Sequence, residues 1–116
     1  MRRTMLMGSA AVAGLALAAS ALGAPTATTV TVTAGKPSEL KFTLSKKTVP
    51  AGAVTFKVTN KGTSTHDFKI GGKKTALLKA GKSATLKVTL KKGKAAFLCT
   101  VPGHAAAGMK GTLTVK

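Results

Sequence analysis

The sequence predicts an all-β protein, an antiparallel β-sandwich of about seven or eight strands. Short runs in which Val, Leu, Ile or Phe alternates with Thr or Lys recur along residues 30–116. Turn-forming Gly, Pro and Asn residues separate these runs. No segment beyond the N-terminal one has a sustained helical period. Alternation of this kind is typical of strands that have one buried face and one solvated face.

Residues 1–21 are predicted to form a signal peptide. Arg2 and Arg3 give it a positive start, and residues 5–19 are apolar and rich in Ala and Leu. Residues 19–21 read Ala-Ser-Ala, which matches a small-residue cleavage site. We therefore expect an exported protein, located in the periplasm, the cell envelope or the extracellular space.

Two features of this leader stay open. Cleavage as late as residue 24 is an alternative, although it would leave Pro25 at the mature N-terminus. The arginine pair only loosely matches a twin-arginine signal, so the Sec route is preferred to the Tat route. An uncleaved leader would anchor the protein in the membrane. Residues 22–29 are predicted to be a flexible lead-in and residues 30–116 to be the single folded domain.

The strands are predicted from apolar residues spaced two apart. In chain order these are Val30 and Val32; Leu40, Phe42 and Leu44; Val54, Phe56 and Val58; Phe68 and Ile70; Leu86, Val88 and Leu90; Phe97 and Cys99; Leu113 and Val115. The predicted turns between them are residues 34–37, 50–52, 60–62, 71–72, 80–82 and 92–93. Each turn contains Gly, and several also contain Pro or Asn, which are the residues that β-turns favour.

The charge is strongly basic. There are 19 Lys and Arg residues against only Glu39 and Asp67, which gives a formal net charge of +17. The lysines fall mostly at outward strand positions and in turns, where they form either a solvated face that protects sheet edges or a docking surface for acidic partners. Nucleic acid is a poor candidate partner because aromatic residues are few and no recognition motif is present. No paired carboxylates or activated nucleophile are legible, so the sequence does not predict an enzyme.

Four candidate metal ligands stand out once the leader is set aside. The remaining chain has one Cys, one Met and two His, and Cys99, His104 and Met109 form the pattern C-x4-H-x4-M. His66 supplies the second imidazole. Taken singly, each residue fits a bland role, such as a buried thiol or a hydrogen-bonded histidine. Together, a thiolate, two imidazoles and a thioether favour copper over zinc, because structural zinc sites use more cysteines and rarely Met.

Three segments resemble the cupredoxins, in particular their azurin-, auracyanin- and plastocyanin-like members. They are CTVPGHAAAGMKGT at residues 99–112, GAVTFKVTNKGTSTHDFKI at residues 52–70, and the strand pair over residues 82–99. The resemblance implies a Greek-key sandwich that binds one type 1 copper ion. It also implies that His66, Cys99 and His104 are equatorial ligands and that Met109 is the axial ligand.

The same resemblance implies a function. The protein is expected to be a monomeric one-electron carrier that cycles between Cu(I) and Cu(II), and the alternative is an exported protein that sequesters or delivers copper. Small residues around His104 would form the docking surface for redox partners, which the charge predicts to be acidic. These residues are Pro102, Ala105, Ala106 and Ala107. Membrane association is expected only through an uncleaved leader or weak electrostatics.

Three residues are expected to lie just behind the ligands, namely Asn60, Asp67 and Thr100. Asp67 would accept hydrogen bonds that connect the two ligand segments, with Thr100 as its partner; the alternative is a surface Asp paired with Lys. The chain departs from the family pattern in several places. Asp67 stands where many members have Asn, Thr65 where azurins have Gly, and Ala95 where an aromatic residue is common. The spacing from His104 to Met109 is that of plastocyanins.

Overall fold

The protein is described here by a computed structural model that covers residues 27–116. The predicted signal peptide, residues 1–21, and most of the predicted lead-in lie outside the described residues. The described part contains nine strands. They are β1 Thr28–Ala34, β2 Phe42–Leu44, β3 Thr48–Val49, β4 Gly52–Asn60, β5 Lys69–Ile70, β6 Lys73–Lys74, β7 Ser83–Leu90, β8 Gly93–Leu98 and β9 Lys110–Val115. Between residues 27 and 116 there is no helix that is long and apolar enough to cross a membrane.

The strands form two sheets, which confirms the predicted all-β sandwich. One sheet has the order β2-β1-β4-β7 and the other has the order β3-β9-β8-β5-β6. Both sheets are mixed rather than purely antiparallel, because β1 runs parallel to β4 and β3 runs parallel to β9. Between β2 and β4 the chain passes through β3 in the opposite sheet, so β4 returns in the direction of β1. Alternation in a sequence reports which face is buried and carries no information on strand direction.

Strand β2 is shorter than predicted, because Leu40 lies outside it. Residues 35–41 form a turn closed by the Gly35 amide, which donates to the Lys41 carbonyl at 2.9 Å. Gly35 has a φ of 86°, a left-handed conformation that glycine adopts without strain. The turn places Leu40 against a second apolar cluster, away from the main core. Strand β6 was not predicted, since its two lysines are both exposed and carry no apolar signal.

The four phenylalanines pack together in the middle of the sandwich. The ring of Phe68 lies 5.3 Å from that of Phe42, 5.3 Å from that of Phe56 and 5.5 Å from that of Phe97, measured between centroids. The ring pairs are tilted or edge-on, as aromatic pairs prefer. Phe56, Phe68 and Phe97 are buried, and full burial of such a ring stabilises a fold by about 1.5–3 kcal/mol. Since Phe68 follows His66 by two residues and Phe97 precedes Cys99 by two, the core fixes both segments that carry candidate ligands.

Candidate metal centre

Three of the predicted ligands converge at one end of the sandwich, where β8 ends. The candidate donor atoms of His66, Cys99 and His104 all lie within 4.8 Å of one another. The two Nδ1 atoms of the histidines are 3.2 Å apart. The Cys99 Sγ lies 3.6 Å from His104 Nδ1 and 4.0 Å from His66 Nδ1. Residues separated by 38 positions in the chain thus present two imidazole nitrogens and one sulfur to a common point.

His66 is fixed by its backbone. Its amide donates to the Leu78 carbonyl at 3.1 Å, and the Leu78 amide donates back to the His66 carbonyl at 2.7 Å. The side chain is fully buried. This two-way bridge attaches the ligand to a neighbouring segment without a regular strand, so the ring position does not depend on a flexible loop.

Asn60 holds the turn that leads to His66. It is fully buried, and its Nδ2 donates to the Ser64 and Leu78 carbonyls, each at 2.7 Å. Its Oδ1 accepts from the Gly62 amide at 2.8 Å. The side-chain amide thereby bonds three backbone groups, one of which, the Leu78 carbonyl, also accepts from the His66 amide. Asn60 therefore lies behind the ligand by organising the turn and makes none of its hydrogen bonds to the ligand ring.

Glu39 was not predicted as part of the site. Its Oε2 lies 2.5 Å from His66 Nε2, the ring nitrogen that faces away from the other candidate ligands. Its Oε1 also accepts from the amide and the hydroxyl of Thr63, at 2.8 and 2.9 Å. Hydrogen bonds from the Thr63 and Ser64 amides, followed by that from His66, lower the pKa of Glu39 to about 2. An isolated Glu between Ser and Leu carries no sequence signal for this contact, which depends on the turn after β1.

Cys99 begins the second ligand segment, directly after β8. Its side chain is buried, and its amide donates to the Met109 carbonyl at 3.1 Å. Burial raises the pKa of its thiol above the usual 9.0, while hydrogen bonds from the backbone of Asp67 and Val101 oppose this shift. Burial therefore disfavours the thiolate form of Cys99. Metal binding would favour it, because a metal-bound thiol is deprotonated.

The loop from Cys99 to Met109 is closed by its own backbone. The His104 amide donates to the Val101 carbonyl at 3.0 Å, and the Met109 amide donates to the His104 carbonyl at 3.0 Å. Met109 is fully buried and packs in one cluster with Cys99 and Ala34. The fourth candidate ligand thus lies beside the thiol, in apolar surroundings that suit a thioether.

Asp67 connects the two ligand segments. Its Oδ1 accepts from the Thr100 amide at 2.6 Å, and its Oδ2 accepts from the Thr100 hydroxyl. Asp67 is buried. The alternative expectation, a surface Asp paired with Lys, is therefore wrong. Each partner is adjacent in sequence to a candidate ligand, His66 and Cys99 respectively, and the contact holds those two ligands at a fixed separation.

The centre is exposed on one side only. His104 is half-buried, whereas His66, Cys99 and Met109 are buried. The small residues predicted to surround His104 reach the surface there: Pro102, Ala106 and Ala107 are exposed, and Ala105 is half-buried. The edge of His104 is therefore the part of the site nearest to solvent.

The donors fit a single metal ion. Bonds of about 2.0–2.3 Å from nitrogen and sulfur allow two ligands of one ion to be at most roughly 4.4 Å apart. The measured separations of 3.2, 3.6 and 4.0 Å are within that limit. A thiolate and two imidazoles with a thioether nearby are the donor set of a type 1 copper site. The fold and the centre together define a β-sandwich metalloprotein.

Comparison with known proteins gives the family. Residues 5–115 match the cupredoxin-like domain family, and the chain belongs to it. No curated protein was found that matches the chain in sequence. The shared fold and the convergent donors identify the centre as a type 1 copper site, which confirms the predicted cofactor.

Several solved structures resemble the chain. Auracyanin B is 29% identical, with 81% of this chain and 92% of that chain covered and a TM-score of 0.69. Reduced auracyanin from the photosynthetic bacterium Roseiflexus castenholzii is 28% identical, with 79% and 99% covered and a TM-score of 0.65. Rusticyanin from Thiobacillus ferrooxidans is 25% identical, with 80% and 79% covered and a TM-score of 0.63. Rusticyanin is described as a copper protein.

Proposed function

We propose that the protein is a one-electron carrier in which His66, Cys99, His104 and Met109 would hold a copper ion. The observation that supports this most directly is the convergence of two imidazole nitrogens and a buried thiol within 4.8 Å. The same donors suit copper by their chemistry, since thiolate and thioether are soft ligands. When bound, copper supplies a one-electron couple.

The protein's part is to hold the ligands still. His66 is fixed by Leu78, the Cys99 loop is closed by its own backbone, and Asp67 joins the two through Thr100. Cu(I) and Cu(II) prefer different geometries, so a scaffold that resists ligand movement keeps the change between the two small. Rapid electron exchange needs that restraint, whereas a storage site does not.

Electrons are proposed to enter and leave at the edge of His104. Pro102, Ala105, Ala106 and Ala107 are small, so a partner approaches the ring closely. Small contacts of this kind suit brief redox encounters. The lysine-rich exterior speeds association with an acidic partner, and added salt slows it.

The remaining expectations are part of the same proposal. The protein acts outside the cytoplasm as a monomer after export by Sec, and it exchanges electrons with other proteins rather than transforming a substrate. Copper sequestration or delivery is the competing function, and the half-exposed His104 favours it to the extent that it gives copper a way out. Burial of His66, Cys99 and Met109 favours the carrier.

A copper titration tests the proposal. Cu(II) is added to the purified wild type and to Cys99→Ser, with Zn(II) as the colourless control, and visible spectra are recorded. We expect an intense blue band from thiolate-to-copper charge transfer in the wild type and its complete loss in the variant. Voltammetry should then show rapid, reversible one-electron exchange. A Cu(II) complex that lacks this band would contradict the type 1 assignment, and ready transfer of copper to a chelator would favour copper delivery.

A further inference from the structure

The two acidic residues of this chain share an unusual location. Among 19 basic side chains, Glu39 and Asp67 are the only carboxylates. Within residues 27–116 the one ion pair recorded is that of Glu39 with His66, and neither carboxylate is paired with a lysine. Carboxylates scattered on so basic a surface would meet lysines first. Glu39 instead faces a buried histidine, so its placement calls for an explanation at the metal centre.

The contact with Glu39 gives the two nitrogens of the His66 ring different roles. Nε2 lies 2.5 Å from Glu39 Oε2, while Nδ1 faces His104 Nδ1 at 3.2 Å. The ring is fully buried, so water does not compete for Nε2. An ionised carboxylate only accepts hydrogen bonds, so Nε2 is the nitrogen that carries the proton. The lone pair of Nδ1 is then free for a metal.

The carboxylate is held in place independently of His66. The Ser64 amide donates to Oε2 at 3.1 Å, and the amide and hydroxyl of Thr63 donate to Oε1. The turns are shaped around this carboxylate. A Cβ on Gly62 would overlap the Glu39 carboxylate, and a Cβ on Gly35 would lie 2.5 Å from Gly62 Cα. Two glycines thus let the turn after β1 approach the turn before His66 closely enough for Glu39 to reach the ring.

We propose that Glu39 is a positioning residue of the copper centre: its carboxylate fixes the tautomer and orientation of His66 and favours Cu(II) over Cu(I). The inference rests on the proposed function for its effect on copper, but the effect on His66 is independent of any metal. A carboxylate behind a ligating histidine raises the basicity of the ligand, and loss of such a partner typically lowers metal affinity about 10–100-fold. The negative charge also stabilises the more highly charged ion.

A merely structural role for Glu39 predicts something different. If the carboxylate served only to hold the amides of Thr63 and Ser64, its removal would loosen the turn and lower stability without changing the ratio of the two copper affinities. The test therefore compares Glu39→Gln with Ser38→Lys. Ser38 is exposed in the same turn, and the lysine makes the same change of one unit in net charge without altering a hydrogen bond to His66. Ser38→Lys thereby controls for charge alone.

The first measurement uses the metal-free proteins labelled with 15N. In the wild type and in Ser38→Lys we expect His66 to be protonated at Nε2, with a strongly downfield proton signal. In Glu39→Gln that signal should move upfield and the Nδ1-protonated tautomer should appear. Absence of the hydrogen-bonded Nε2 proton in the wild type itself would overturn the proposal, even if the variant failed to fold.

The second measurement adds copper. We expect Glu39→Gln to bind Cu(II) about 10-fold more weakly, with a smaller loss for Cu(I), so that its reduction potential rises. Ser38→Lys should stay close to the wild type in both. Equal shifts in the two variants, or an unchanged ratio of affinities in Glu39→Gln, would overturn the copper part of the proposal. A wild type that binds no copper but keeps the Nε2 signature would refute the proposed function and leave the role of Glu39 in orienting His66 intact.

Discussion

The two segments that carry the candidate ligands are held in different ways. The first, around His66, is held by groups outside the segment itself: the Leu78 backbone on the His66 backbone, Asn60 on the turn and Glu39 on the ring. The second, from Cys99 to Met109, is closed mainly by hydrogen bonds within its own backbone, and Asp67 adds a contact at Thr100. The first histidine is fully buried, and the second, His104, is half-buried.

This difference indicates that the two segments have different roles at the metal centre. A ligand held by distant side chains is set by the whole fold, and its surroundings control the electronic properties of the metal. A ligand on a self-contained loop at the surface is suited to contact with a partner. The following predictions test that difference in roles, beginning with the largest effect.

The two histidines should respond differently to removal. His66→Gly and His104→Gly each delete one imidazole, and both should abolish the blue band. The space left at residue 104 opens to solvent, whereas that at residue 66 is enclosed. Free imidazole should therefore restore the band in His104→Gly and leave His66→Gly colourless, as measured by absorbance titration. Rescue of both variants to the same extent would show that the buried and exposed sites do not differ in access.

Asn60→Ala should strongly destabilise the first segment. The change removes three hydrogen bonds, those to the Ser64 and Leu78 carbonyls and that from the Gly62 amide, and each contributes about 0.5–1.5 kcal/mol net. We expect the free energy of unfolding of the metal-free protein to fall by roughly 3 kcal/mol in urea denaturation. Thr59→Ala is the control, because Thr59 makes one exposed hydrogen bond to Ser83. A loss below about 1 kcal/mol for Asn60→Ala would mean that the turn finds other partners.

Asp67→Asn should raise the reduction potential. An ionised carboxylate close to the thiolate favours Cu(II), and its removal weakens that preference by an amount on the order of 1 kcal/mol, or about 40 mV for one electron. Thr100→Ala is the control, since it removes the hydroxyl hydrogen bond and keeps the charge. Voltammetry of the copper-loaded proteins gives the comparison. An unchanged or lower potential in Asp67→Asn would refute an electrostatic role for this residue.

The smallest expected effect is on the pH dependence of stability. The pKa of Glu39 is lowered from 4.5 to about 2, so its carboxylate stabilises the folded state above pH 4.5 and loses this effect as pH falls through 2. The metal-free wild type should therefore lose stability across this interval, and Glu39→Gln should lose less. Urea midpoints measured at pH 5, 4, 3 and 2 test this. Parallel curves for the two proteins would show that the contact is absent in solution.

Sequence patterns predicted much of this architecture for a physical reason. A strand buried on one face has an apolar residue at every second position, so Val30, Val32 and Phe56 predicted the strands in which they lie. The donors were legible because Cys, His and Met are rare in this chain. Parallel pairing of β1 with β4 was missed, because strand direction depends on where the chain crosses between sheets.

Glu39 was missed for a related reason. Its contact with His66 spans 27 positions and depends on two turns that approach each other through Gly35 and Gly62. Neither glycine differs in sequence from an ordinary turn residue. The contact between Asp67 and Thr100 was legible because each residue is adjacent to a candidate ligand. Glu39 is not adjacent to a candidate ligand in the sequence, so no such signal was present.

The phenylalanine cluster makes the geometry of the proposed copper centre depend on the packing of the core. Phe68 and Phe97 sit two positions from His66 and Cys99, and their rings are 5.5 Å apart. Melting of that aromatic stack would pull a nitrogen and a sulfur away from the same ion in a single step. Loss of the blue band and unfolding of the sandwich should thus share one transition temperature. The absorbance of that band would then report the fraction of protein that is folded.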